Sequence, residues 1–204
     1  MERSFSTHKI VLLGLFTGIV VVLQYLGAFI RFGPFSISLV LLPIAVGAAL
    51  IGASAGGWLG FVFGLVVLLT GDAAPFLAVN AFGTIFLVLL KGSLAGYAAG
   101  IAYTLLSKKD RTLAAIAAAA VCPLVNTGIF IVGSYVFFLP TLTLWGEAAG
   151  AANVTAFIFF GMVGANFFVE LGLNLILSPV LVRLIHYGQD TGLIGRIGGQ
   201  KNAA

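Results

Sequence analysis

Lys91 stands in the middle of the apolar run "FLVLLKGSLAGY", Phe86 to Tyr97. Moving a lysine to the centre of a bilayer costs about 3 kcal/mol on insertion scales and more in simulations, so such a residue marks a candidate site. Other polar residues repeat at helical spacing nearby. Asn80, Thr84 and Lys91 fall at i, i+4 and i+11, and Asn166, Glu170 and Asn174 are spaced by four, so each set shares one helix face. Between these segments, "CPLVNTGIF" offers Asn126 and Thr127 beside Pro123, which removes a backbone donor. At about 1.5 Å rise per residue, Lys91 lies about 16 Å, Asn126 about 20 Å and Glu170 about 21 Å from the same ends of their segments. One central polar layer is therefore expected. Two kinds of chemistry suit it: a Lys91–Glu170 pair that holds helices together, or a pocket that takes a small polar solute. The two are compatible, with a pair forming the floor of a pocket.

Other chemistry is not visible. A rhomboid-type protease needs a Gly-x-Ser-Gly motif and a membrane histidine, and metal-dependent intramembrane proteases need His/Glu or Asp pairs at ligand spacing; neither pattern occurs. The single cysteine, Cys122, allows no intrachain disulfide and no cysteine metal cluster, and reads as a packing residue. His8 and His186 flank apolar segments without ligand-like spacing. No enzyme activity, metal or cofactor is expected.

The elements that must position these residues are membrane spans. The 204 residues are 61% hydrophobic and 8% charged, with a mean hydropathy of +1.18, whereas soluble domains carry about 25% charged residues. Twenty-seven glycines favour closely packed helices over a β-barrel. Spans of about 20 apolar residues fit six stretches: 9–30, 36–51, 56–70, 80–106, 113–139 and 156–185. The second and third are short and joined only by "GASAG", a tight hairpin. The first run, from Ile10 to Ile30, is longer than a signal-peptide core and lacks a small-x-small cleavage site, so it reads as a retained span. The expected fold is an all-α integral membrane bundle of six transmembrane helices over residues 9–186. Residues 1–8 form a cytoplasmic N-terminus and 187–204 a flexible cytoplasmic tail.

Basic residues set the orientation. With both termini inside, the cytoplasmic segments hold Arg3, Lys9, Lys108, Lys109, Arg111, Arg183, Arg196 and Lys201, and the outer loops hold only Arg31. The net charge of +4 is thus explained by lipid headgroups and topology, not nucleic acid. Of the outer loops, "RFGPFS" is short and strand-like, "GDAAPFLAV" contains Asp72, and "PTLTLWGEAAGAANVT" is long enough for a lid. Gly52, Gly56, Gly60 and Gly64 form a stripe suited to internal packing, while Gly14 and Gly18 in "GLFTG" place a small-xxx-small pair on the first helix. Aromatic residues gather near the outer face, and helix phase alone does not say which of them face a ligand.

Six short spans, the segment "GPFSISLVLLPIAVGAALIGASAGGWLGFVFGL", the small-xxx-small first helix and "CPLVNTGIFIVGSYVFF" together resemble the substrate-binding S components of energy-coupling factor (ECF) vitamin transporters. The resemblance covers roughly residues 9–186. It implies a subunit in a prokaryotic plasma membrane that captures a water-soluble vitamin or precursor from outside. It further implies docking on a transmembrane T subunit carrying two ABC ATPases, which drive release inside. The family's first-helix motif is usually Ala-xxx-Ala; the matching residues here are Gly14 and Gly18, expected to contact the T subunit. Family ligand sites draw on the first outer loop, the fourth to sixth helices and the long last loop. Those places hold Arg31, Phe35, Thr84, Lys91, Asn126, Asn153, Asn166 and Glu170. Pantothenate, cobalamin, riboflavin and folate are among the ligands such proteins take. A buried lysine leans toward a carboxylate such as pantothenate, and Glu170 weakens that lean by offering the lysine an internal partner. Two other classes compete: a stand-alone secondary transporter or channel using Lys91 and Glu170, which lacks recognisable inverted repeats, and a small structural membrane protein.

Overall fold

The computed structural model describes residues 7–29, 31–32, 35–36, 39–179, 182–183 and 187. Helix α1 spans Thr7–Phe29 and leads into a two-residue antiparallel ladder, β1 Arg31–Phe32 with β2 Phe35–Ser36, in which Arg31 faces Ser36. Helices α2 (Leu41–Ile51) and α3 (Ala53–Leu69) follow, then the short α4 (Ala74–Val79), α5 (Ala81–Leu106) and α6 (Arg111–Phe137). The last part comprises α7 (Leu139–Ala148), α8 (Val154–Ala156), a π-helical segment over Phe157–Gly164 and α9 (Ala165–Ile176).

Local chemistry sets these boundaries. Asn80 Oδ1 accepts from the Gly83 amide at 2.9 Å and caps α5. Asp110 Oδ1 accepts from the amides of Thr112 (2.7 Å) and Leu113 (3.0 Å) and caps α6. Each satisfies donors that a helix start leaves without an internal partner. Pro75 and Pro140 occupy the first turns of α4 and α7, where a missing N–H does no harm. Gly52 alone separates α2 from α3. Its φ of +130° is a conformation that glycine reaches without steric penalty, and the two helices fold back on each other there.

Four described segments are long and apolar enough to cross a membrane: Thr7–Gly27, Ala81–Leu106, Arg111–Phe137 and Val154–Ile176. Helices α2 and α3 have 11 and 17 residues, or about 16 and 25 Å against a hydrocarbon core of about 30 Å. The expected second and third spans are thus present as short helices. Every residue of α2 except Leu42 is buried, so this helix is sealed inside the bundle. Two expected loops are partly helical: α4 lies in "GDAAPFLAV", and α7 and α8 occupy most of "PTLTLWGEAAGAANVT". The single sixth helix expected over 156–185 is interrupted by the π-helical segment before α9. The expected tail, 187–204, lies outside the described residues except for Tyr187.

The closest packing is between α3 and α5, which run antiparallel. A Cβ on Gly56 would collide with the carbonyl oxygen of Gly96, and one on Gly60 with that of Gly92. A Cβ on Gly64 would come within 2.9 Å of the Val88 carbonyl. The stripe read from the sequence therefore serves internal packing, with Gly52 forming the bend rather than part of the contact. Small residues let helix backbones approach where lipid supplies no hydrophobic drive for association. Gly60→Ala is expected to force the pair apart and destabilise the fold by about 1–3 kcal/mol. Gly128→Ala, where a Cβ meets open space, is expected to leave the melting temperature in detergent unchanged or raised. Equal melting of Gly60→Ala and wild type would refute the close contact.

Candidate functional site

Four faces converge on one cavity of about 120 Å³. A single water needs roughly 10–15 Å³ by the same measure, so the space suits a solute or a group of waters. Helix α5 contributes Thr84, Leu87, Val88 and Lys91, a single face at i, i+3, i+4 and i+7. Helix α3 brings Phe63 and Val67, α6 brings Asn126, Thr127 and Phe130, and α9 brings Phe167 and Glu170. Gln24 of α1 and Asp72 from the turn before α4 complete the polar lining.

Lys91 lies ten positions past Ala81 in α5, about 15 Å along the helix axis. Its Nζ sits over two aromatic faces, 5.2 Å from the Phe130 ring centre and 5.9 Å from that of Phe63. Desolvated cation–π contacts contribute up to about 2 kcal/mol each. The charges of Glu170 and, more weakly, Asp72 also act on this ammonium. Glu170 is itself only 4% exposed. Rings from two helices thus face the lysine, and carboxylates from two further places in the chain line the same cavity.

Two amides in the lining are incompletely satisfied. Gln24, 2% exposed, donates from Nε2 to Asp72 Oδ2 at 3.0 Å, and Thr70 Oγ1 donates to the same oxygen at 3.2 Å. Gln24 Oε1 has no hydrogen-bond partner among the described residues. The same holds for Oδ1 of Asn126, 6% exposed. A buried acceptor left unmatched costs about 1–3 kcal/mol, so these oxygens call for donors from whatever fills the cavity.

The end of the bundle that carries α4 and α7 closes over this space. Phe76 of α4 lines the cavity and meets Phe130, Phe138 and Trp145 edge-on, with ring centres 5.8, 5.0 and 5.7 Å away. Leu142, Ile158 and Met162 pack around this aromatic group. The long loop that the sequence offered as a lid is thus partly helical, and none of its residues lines the cavity.

Of the residues named from the sequence, Thr84, Lys91, Asn126 and Glu170 come together in the cavity. Thr84 Oγ1 donates back to the Asn80 carbonyl at 2.7 Å, so its proton is committed within its own helix. Asn153 does not reach the cavity; it is exposed, and its Oδ1 caps α8 by accepting from the Ala156 amide at 2.8 Å. Asn80 and Asn174 likewise stay out of the lining. The side chains of Arg31, Phe35 and Asn166 lie outside the described residues. Gly14 and Gly18 are exposed on α1, and a Cβ on either would meet nothing within 4 Å. The sequence reading missed Gln24, whose signal was a lone amide in the apolar run "GIVVVLQYLG". It also noted Asp72 only as a loop residue.

A family model described as "ECF transporter, substrate-specific component" matches residues 8–182. No curated protein and no solved structure matches the chain at a significant level.

Removing the Lys91 charge takes one positive group from a cavity lined by two carboxylates. Lys91→Met is expected to destabilise the protein by about 3–5 kcal/mol, the usual result of taking one partner from a buried charge group. The double variant Lys91→Met/Glu170→Gln should recover part of that loss in SDS-titrated unfolding. Strictly additive effects would show that the two charges are not coupled.

Proposed function

The chain belongs to the family of ECF transporter substrate-specific components, and from that premise we propose that it captures a water-soluble vitamin or precursor in the cavity around Lys91. Members of this family are substrate-binding transport subunits, not enzymes, and the apolar helices accord with a multi-pass membrane protein. In the proposed arrangement six helices span the membrane, both termini are cytoplasmic, and α4 and α7 lie at the outer face of a prokaryotic plasma membrane. The ligand enters beneath this cover and leaves only after the subunit docks on a T subunit with two ABC ATPases. The observation that carries the reading is the pair of unsatisfied buried acceptors that line the same cavity as Lys91. A bundle held together only by polar glue has no need to leave them unmatched.

Docking on the T subunit uses the α1 face at Gly14 and Gly18. Around them Ile10, Val11, Leu15 and Val22 are all more than half exposed, so the chain itself leaves this apolar face uncovered. Arg31, Phe35, Asn153 and Asn166 remain proposed contacts from the outer loops and the last helix, in addition to Thr84, Lys91, Asn126 and Glu170.

Mass spectrometry of the protein purified from cells grown in rich medium is expected to find a water-soluble small molecule near one equivalent. Uptake of that molecule in a reconstituted system is expected to require the T subunit and hydrolysis-competent ATPases. Uptake at the same rate without ATPases would identify a stand-alone carrier, and absence of any bound solute or uptake a structural protein. The double variant Gly14→Leu/Gly18→Leu should abolish uptake while leaving ligand affinity within about twofold, because the bulk is added on the open α1 face and not in the cavity. Uptake unaffected by that bulk would remove the two glycines from the docking face.

A further inference from the structure

The polar inventory of the cavity says more about the solute than its location does. Among the described residues, the lining holds one cation, Lys91, and two carboxylates, Asp72 and Glu170. The lysine ammonium already faces two phenyl rings and feels both carboxylates. A ligand carboxylate would have to compete for it against charges fixed in the protein and would itself sit among like charges. Like charges at short range in a poorly solvated site are strongly disfavoured.

The unsatisfied groups point the same way. Both orphaned atoms of the lining are carbonyl oxygens, Gln24 Oε1 and Asn126 Oδ1, which only accept; the third such atom among the described residues, Ser134 Oγ, lies outside the lining. They stand on different helices of one cavity, in side chains 2% and 6% exposed. A carboxylate offers no proton to either. An amino, ring N–H or hydroxyl group satisfies them, and Phe63, Phe76, Phe130 and Phe167 supply flat apolar walls suited to a ring.

We infer that the captured solute is a neutral or cationic ring compound that presents N–H or O–H donors to Gln24 and Asn126, and not a carboxylate. This rests on the capture function proposed above and reverses the lean toward a carboxylate ligand that Lys91 alone suggests. The lysine then faces the rings and carboxylates of the site and is not the anchor of the ligand.

The test is equilibrium binding to ligand-stripped full-length protein in nanodiscs. The probes are thiamine, pyridoxamine and riboflavin on one side, and pantothenate, folate, biotin and nicotinate on the other. Tightest binding is expected within the first group. Asn126→Leu should then weaken the best probe at least about tenfold, the equivalent of one lost hydrogen bond of about 1.4 kcal/mol. Asn126→Asp, which keeps an acceptor and adds negative charge, should hold a cationic probe at least as well as wild type and guards against a folding defect in the leucine variant. Tightest binding of any of the four carboxylates overturns the inference and leaves the capture function standing. Binding of no probe also overturns it, and the capture function is then judged separately by ATPase-dependent uptake. An unchanged affinity in Asn126→Leu contradicts the assigned donor contact.

Discussion

A lysine charge in mid-helix, surrounded by apolar sequence, is the constraint from which the rest of this structure follows. Its penalty falls only if other groups come to it. Here Phe63 arrives from α3, Phe130 from α6, Glu170 from α9 and Asp72 from the turn before α4. Such convergence needs α3 and α5 in near backbone contact, and the facing glycines at 56 with 96 and 60 with 92 permit it. Lys91 immediately precedes Gly92. Beside the closest contact of the two helices, the lysine places its Nζ over the rings of Phe130 and Phe63.

The same arrangement leaves a space that the protein does not fill. Replacing buried ionic groups by well-packed apolar ones is often neutral or stabilising, so a lining with three ionisable side chains and two unmatched amide oxygens is a poor design for stability alone. It is a reasonable design for recognition. The aromatic group around Phe76 lies at one end of the cavity, and the glycine contact between α3 and α5 lies on other helices.

Much of this was legible in the residues themselves. A charge or amide in an apolar run has few structural excuses, and that logic found Lys91, Asn126 and Glu170 and placed them at one depth. It applied equally to Gln24, which was overlooked because the polar faces on the later helices were periodic and this residue stood alone. Asp72 was hidden differently. Acidic residues in loops are ordinarily solvated, and only the fold-back of the chain after α3 reveals that this one joins the cavity. The aromatic partners were unreadable because the helices are apolar on nearly every face, so periodicity cannot separate a ring that faces Lys91 from one that faces lipid. Asn153 shows how one residue type serves two purposes. An asparagine three residues after Gly150 is as well suited to capping a helix as to touching a ligand, and here its oxygen caps α8.

The central claim is that the amide oxygens of Gln24 and Asn126 accept no hydrogen bond within the described fold and take theirs from a solute. A high-resolution map of the protein purified together with its bound solute tests this most directly. The account predicts density within hydrogen-bond distance of both amide oxygens, stacked against the phenyl walls beside Lys91. Density held only at the outer loops, with the cavity around Asn126 occupied by side chains alone, would contradict it.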